Sequence, residues 1–176
     1  MTITLVYETH STTEDNEAGI GTGWLPGRLS AAGRVGAGEL GERRGSSVDV
    51  VLHSDLGRAV ETARIAFEGT SVPLLADWRL RECDYGARNG APHDSLRPRA
   101  RFLDDAHPGG GESWRAAVDR NLRVLPDLRL RWDGARVLLI GHGATRFALI
   151  HHFDGVALED LVDADIGWQP GWEYSY

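Results

Sequence analysis

The sequence predicts a three-layer α/β/α sandwich with a mostly parallel central sheet, carried by a single domain over residues 1–176. Three observations predict it. Short apolar runs of strand length recur along the chain, and the intervals between them carry apolar residues at the three- and four-residue spacing of helices. The length of 176 residues suits one well-buried core and is short for two.

The first strand is read at ITLVY (residues 3–7), after which the chain passes directly into the polar run Glu8 to Asn16. The segment from Ser30 to Arg44 has glycines at 33, 36, 38 and 41. Each glycine costs a helix about 1 kcal/mol relative to alanine, so a helix here must be held by tertiary packing. VDVVLHS (48–54) is the second strand. Leu56, Ala59, Val60, Ala63 and Phe67 then mark a helix, with Ser54 or Asp55 available as its N-cap. Residues 81–108, rich in Gly, Pro, Arg and Asp, form an excursion over the sheet edge. After the glycine run PGGGES, one longer helix is expected through Trp114, Val118, Leu122 and Leu125. In ARVLLIGHG (135–143), the continuous run Val137 to Ile140 suits an interior parallel strand flanked by helices on both faces. Phe147, Ala148, Ile150 and His151 continue into a short helix.

Composition limits the function. The formal charge is −7, so the chain as a whole attracts neither nucleic acid nor an anionic membrane, and an anionic ligand would need a local positive pocket. Cys83 is the only cysteine, which precludes an intrachain disulfide. The opening MTITLVYE has neither a basic n-region nor a long apolar run, so a cytoplasmic protein is the expectation. All 19 basic residues are arginine, from which no functional conclusion follows.

Four chemistry-bearing positions stand at comparable places. His10 follows the first strand, Arg58 lies in the first turn of the helix after the second, Glu82 opens the excursion, and His142 follows the third strong strand. If the strands are parallel neighbours, their ends share one edge, where α/β folds place ligands. A neutral imidazole can attack phosphorus if its other nitrogen is held as a donor, which suits His10. A carboxyl group near the leaving oxygen can give up a proton and later help to deprotonate water, which suits Glu82. Arg58, His142 and Asn16 supply the positive and hydrogen-bonding groups that must embrace the phosphoryl oxygens.

In LVYETHSTTEDNEAG (5–19), WLPGRLSAAG (24–33), SDLGRAVETA (54–63), LRECDYG (80–86), GGES (110–113) and LLIGHGATR (138–146), the chain resembles the histidine phosphatase, or phosphoglycerate mutase-like, superfamily. The motifs run in family order over nearly the whole chain. The resemblance implies that His10 is the nucleophile, Glu82 the general acid and His142 the second pocket histidine. It also implies that Arg58, Thr13 and Asn16 belong to the substrate-binding set, with no metal and no cofactor. Two positions depart from the family's Arg-His-Gly triplet: Thr9 replaces the arginine and Ser11 the glycine. Thr9 cannot form the bidentate clamp in which arginine excels. Arg146, four residues after His142, is the candidate to fill that role, one helical turn along.

The leading expectation is therefore a metal-independent phosphomonoester hydrolase acting on a small phosphorylated metabolite through a phosphohistidine. A binding or regulatory domain on the same scaffold is the first alternative, because of Thr9. Phosphoglycerate mutase-type transfer is the second, ranked lower because the chain has little room for capping segments. A metal hydrolase using His10, Glu14, Asp15 and His142 lacks compact ligand spacing. Arg28, Arg88, Asn89, His93 and Arg97 are expected around the pocket walls, and Asp84 is the fallback acid. Trp24 alone among the tryptophans is placed where it could overlook the pocket, and His151 and His152 are assigned to helix surface. The expected partner is a small phosphorylated molecule, with no nucleic acid and no membrane; monomer and homodimer both remain open.

Overall fold

A computed structural model describes residues 2–176. The elements run, in chain order, β1 (Thr4–Thr9), α1 (Glu14–Glu17), β2 (Ile20–Gly21), α2 (Ala31–Arg44), β3 (Val50–His53), α3 (Gly57–Ala66), β4 (Leu74–Ala76), β5 (Ala91–Pro92), α4 (Trp114–Leu122), α5 (Leu125–Arg131), β6 (Arg136–Gly141), α6 (Gly143–Leu149), α7 (Leu158–Leu161) and β7 (Trp172–Ser175). Among the described residues the main sheet has the order β4-β3-β6-β1-β7. The three strands expected from sequence are parallel neighbours, Val51 pairing with Leu138 and Val6 with Leu138 on either side of β6. β4 adds a fourth parallel strand at one edge. β7 closes the other edge antiparallel to β1.

Successive strand side chains point to opposite faces, and here both faces are buried. Leu5, Tyr7, Val137 and Leu139 face a core with Val124, Leu125 and Leu128 of the α5 region. Val6, Leu138 and Ile140 face Leu40 of α2 and Ala59 and Ala63 of α3. That is the three-layer sandwich. A further apolar cluster, including Tyr85, Leu96, Trp114 and Phe147, fastens the excursion to α4 and α6.

The glycine-rich helix forms, and packing explains two of its glycines. A Cβ on Gly33 would lie 1.8 Å from the carbonyl oxygen of Thr12, and one on Gly41 would lie 2.1 Å from that of Ala66. α2 can approach the His10 loop and α3 only without those side chains. Its N-terminus is capped by Ser30, whose hydroxyl accepts from Gly33 N.

Two local expectations change. The long helix through Leu125 divides into α4 and α5, because Pro126 lacks an N–H and fits only a first helical turn. The N-cap of α3 is Leu56 with no side-chain cap, while Ser54, two residues before it, accepts from Leu56 N through its Oγ. No helix among the described residues is long and apolar enough to cross a membrane.

Candidate active site

β1, β3 and β6 end side by side, and the residues just beyond β1 and β6 are His10 and His142. Their rings lie 5.0 Å apart between centroids. Arg58, the second residue of α3 and 2% exposed, sits between them. Its Nε donates to His10 Nε2 at 3.2 Å and its Nη2 lies 3.1 Å from His142 Nδ1. The carbonyls of Leu25 and Gly23 accept from Nη1 and Nη2 at 2.8 and 2.9 Å, which fixes the guanidinium plane.

These bonds set the tautomers. His10 Nδ1 lies 2.8 Å from the carbonyl of Ser11, which can only accept, so the proton is on Nδ1 and Nε2 keeps its lone pair. For His142, Nδ1 receives the Arg58 donor, so the proton is on Nε2, a buried donor with no protein partner among the described residues. Burial, helped by the Arg58 charge, pushes the His10 pKa down to about 3. The same causes hold His142 well below the ordinary histidine value. Both imidazoles are neutral at pH 7. Tyr7, whose hydroxyl donates to His142 O at 2.7 Å, steadies the loop after β6 from below.

Glu82 faces this group from the excursion. One carboxyl oxygen accepts from Cys83 N and Ala144 N at 2.9 and 3.0 Å, and the other from Gly143 N at 3.1 Å. Its position is therefore fixed by backbone donors rather than by a purely apolar wall. Asp84 turns away: its Oδ1 accepts from Gly86 N and Asn89 Nδ2.

A cleft of about 370 Å³ opens over these residues, lined by Thr9, His10, Asn16, Arg58 and Glu82, all anticipated from sequence. Ser11, Thr13, Arg146 and the buried His142, which stands behind Arg58, lie outside its lining. Ser11 is tied by its backbone N–H to Thr62 Oγ1. Thr13 is fully buried as the N-cap of α1, exchanging side chain–backbone bonds with Asn16. The placement of Arg146 as a replacement clamp needs correction. Its guanidinium lies 4.2 Å over the Trp172 ring and donates to Gly167 O at 2.7 Å.

The cleft instead contains a different arginine. Arg99 lines it with His93, Tyr85, Thr12, Thr22 and Trp168. Arg99 donates to Val162 O and to His93 Nε2, at 3.1 and 3.2 Å, and lies over the faces of Trp114 and Phe147. Asp163 pins its backbone by accepting from Arg99 N and Ala100 N. Of the tryptophans it is Trp168, 70% exposed, that overlooks the cleft. Trp24 lies outside that lining and braces the excursion, its indole N–H donating to Glu82 O at 2.7 Å. Arg28, Arg88, Asn89 and Arg97 are not part of the lining. No cluster of three or more His, Cys, Asp or Glu suited to a metal ion exists among the described residues.

Two neutral histidines, a buried arginine and a carboxyl meet at the C-terminal edge of the parallel strands, and this set has the nucleophile, cation and proton carrier that phosphoryl chemistry requires. The model of the histidine phosphatase superfamily (branch 1) matches residues 9–168, and the chain belongs to that superfamily. A phosphoglycerate mutase of Candida albicans is 30% identical over an alignment covering 92% of this chain and 82% of the mutase. Among solved structures, Bacillus stearothermophilus YhfR superposes with a TM-score of 0.83 at 29% identity, covering 96% of this chain and 88% of YhfR. A mycobacterial glucosyl-3-phosphoglycerate phosphatase, in complex with VO3, gives 0.78 at 29% identity, over 90% and 85% of the two chains. The activity common to this assignment is phosphoryl transfer of the histidine phosphatase and phosphoglycerate mutase type.

Proposed function

We propose that the protein is a phosphomonoester hydrolase that acts on a small phosphorylated molecule through a phosphohistidine at His10. One observation carries this reading: His10 has its Nδ1 proton directed to the Ser11 carbonyl, and its Nε2 lone pair, beside Arg58, belongs to the ring that lines the cleft. A phosphoryl oxygen that takes over the Nε–H of Arg58 releases that lone pair for attack. The N–P bond forms as the bond to the leaving oxygen breaks, and Glu82 supplies the proton that the leaving oxygen gains. Water then attacks phosphorus, giving its proton to Glu82 and returning His10 and inorganic phosphate. The Nε2–H of His142 and Arg58 hold the equatorial oxygens, and Asn16 contributes from α1. Arg99, His93 and Trp168 face the remainder of the substrate.

Retention of the phosphoryl group for return to a reoriented substrate is the second reading, favoured by the sequence relatives that are phosphoglycerate mutases. The test is single-turnover reaction with an aryl phosphate and with phosphorylated hydroxy acids. An acid-labile phosphoprotein and phosphate release are expected, both lost in His10→Ala and insensitive to chelator. His142→Ala should slow turnover while any label remains on His10. Near-normal turnover by His10→Ala overturns the assignment, and isomerised product without phosphate release establishes the mutase.

A further inference from the structure

Glu82 stands in residues 79–84, where the chain enters the excursion and backbone carbonyls take side-chain donors. Three of them meet one guanidinium. Arg120 of α4 donates through Nη1 to Arg79 O at 2.7 Å and Arg81 O at 3.0 Å, and through Nη2 to Glu82 O at 2.9 Å. The rest of its donors go to Glu112 of the glycine run, Nε to Oε1 and Nη2 to Oε2, both at 2.7 Å. Glu112 reaches the other side of Glu82, since its Oε2 also accepts from Asp84 N at 3.1 Å and its backbone N–H donates to Asp84 O at 2.9 Å. The two side chains are only 5% and 21% exposed.

We propose that the Arg120–Glu112 pair is a positioning device for Glu82, gripping the backbone before and after it so that its carboxyl meets the leaving oxygen. The inference rests on the hydrolase reading above. Stability alone does not account for the arrangement, because a buried ion pair is often replaceable by packed apolar side chains at little cost. An apolar pair would supply no donor to these carbonyls; Trp24 Nε1 also reaches Glu82 O and Asn121 Nδ2 reaches Arg81 O, but Arg120 alone joins all three to Glu112. The side chain of Glu82 is held from α6 through Gly143 N and Ala144 N, and its backbone from α4 through Arg120. With the α4 grip loosened, the carboxyl keeps its chemistry and loses its place.

Glu112→Gln and Arg120→Lys test this, each alone and in a Glu82→Gln background, with an aryl phosphate of good leaving group and an alkyl phosphate of poor one. A misplacement of about 1 Å can cost up to about 100-fold in rate, so kcat for the alkyl ester should fall by about tenfold or more. The aryl ester, which needs little acid assistance, should lose less than about threefold, and in the Glu82→Gln background neither variant should cost a further loss. Amide exchange in wild type and Glu112→Gln supplies a readout independent of turnover. Protection should drop over residues 81–85 and persist in β1 and β6. Equal losses for both esters, full additivity with Glu82→Gln, unchanged exchange at 81–85, or loss of a cooperative melt in both variants would each overturn the positioning role. A wild-type protein inert toward both esters refutes the hydrolase reading instead, and amide exchange still decides whether the pair fixes the segment.

Discussion

Gly33 and Gly38 stand five residues apart in one helix, and replacing each by alanine should move stability in opposite directions. In an open helix interior the change gains about 1 kcal/mol. At Gly38 nothing lies within 4 Å of the new Cβ, so the full gain is expected. At Gly33 the Cβ meets the Thr12 carbonyl at 1.8 Å, and that contact must open by 1.2 Å to reach even 3.0 Å. The obstacle is backbone, which cannot rotate away, and Thr12 O also accepts from Ser30 N at 3.1 Å, a bond the displacement would strain. Overpacking costs about 1–3 kcal/mol, and a backbone contact this short belongs at the upper end, so after the propensity gain of about 1 kcal/mol Gly33→Ala should lose about 2 kcal/mol. For a chain of this size about 2–4 °C of Tm accompanies each kcal/mol. Thermal melts should therefore show Gly38→Ala raised by about 2–4 °C and Gly33→Ala lowered by roughly 5 °C. Thr12 lines the cleft, so Gly33→Ala should also weaken catalysis. A Gly33→Ala protein melting at or above wild type would refute the close-approach argument, and so would a destabilised Gly38→Ala.

Glu82→Gln should cost an alkyl phosphate at least about tenfold more in kcat than an aryl phosphate, within the 10²–10⁴-fold range of general acid catalysis; equal losses would remove Glu82 from the acid role. Thr9→Arg adds a guanidinium at the cleft wall that Arg146 does not occupy, and one charge-assisted bond is expected to tighten vanadate inhibition by about tenfold. Unchanged or weaker inhibition would mean that Thr9 faces no room for a cation, and Arg146→Gln should leave inhibition unaltered. The depressed histidines also make stability pH-dependent. The unfolded chain binds protons near pH 6.5, whereas folded His10 resists them down to about 3, so stability is fully present above 6.5 and is lost as the pH falls toward 3. At pH 4.5 His10 alone accounts for on the order of 2–3 kcal/mol of that loss. Urea midpoints across pH 7 to 4.5 should show a shallower decline in His10→Gln, and parallel curves would refute the assignment.

The sequence was most legible where one residue's neighbours are set by a regular element. Val137 to Ile140 are apolar in succession because β6 is buried on both faces, and that run alone marks an interior strand. His10 and His142 follow directly from strand ends, and Arg58 from the first turn of a helix, so their convergence needs only parallel order. Glu82 is harder, since its place depends on bonds to Gly143 and Ala144, about 60 residues away. It was readable through its motif rather than through any periodicity.

Arg99 and Arg146 show where that legibility stops. Four-residue spacing along a helix correctly relates Arg146 to His142, but a long side chain goes where it finds partners. Its partners are the Trp172 ring and Gly167 O, in and beside an edge strand whose short W-E-Y-S alternation did not declare itself as part of the sheet. Arg99 has the opposite history. Nothing in the local sequence RPRARF distinguishes it from Arg97 or Arg101, and it becomes a cleft residue because Asp163, 64 positions later, caps its backbone while Trp114 and Phe147 support its guanidinium. The cations around this cleft are thus sorted by long-range acceptors and aromatic faces. A motif can name the position that has lost its arginine, whereas only the packed C-terminal segment decides which other arginine stands at the cleft.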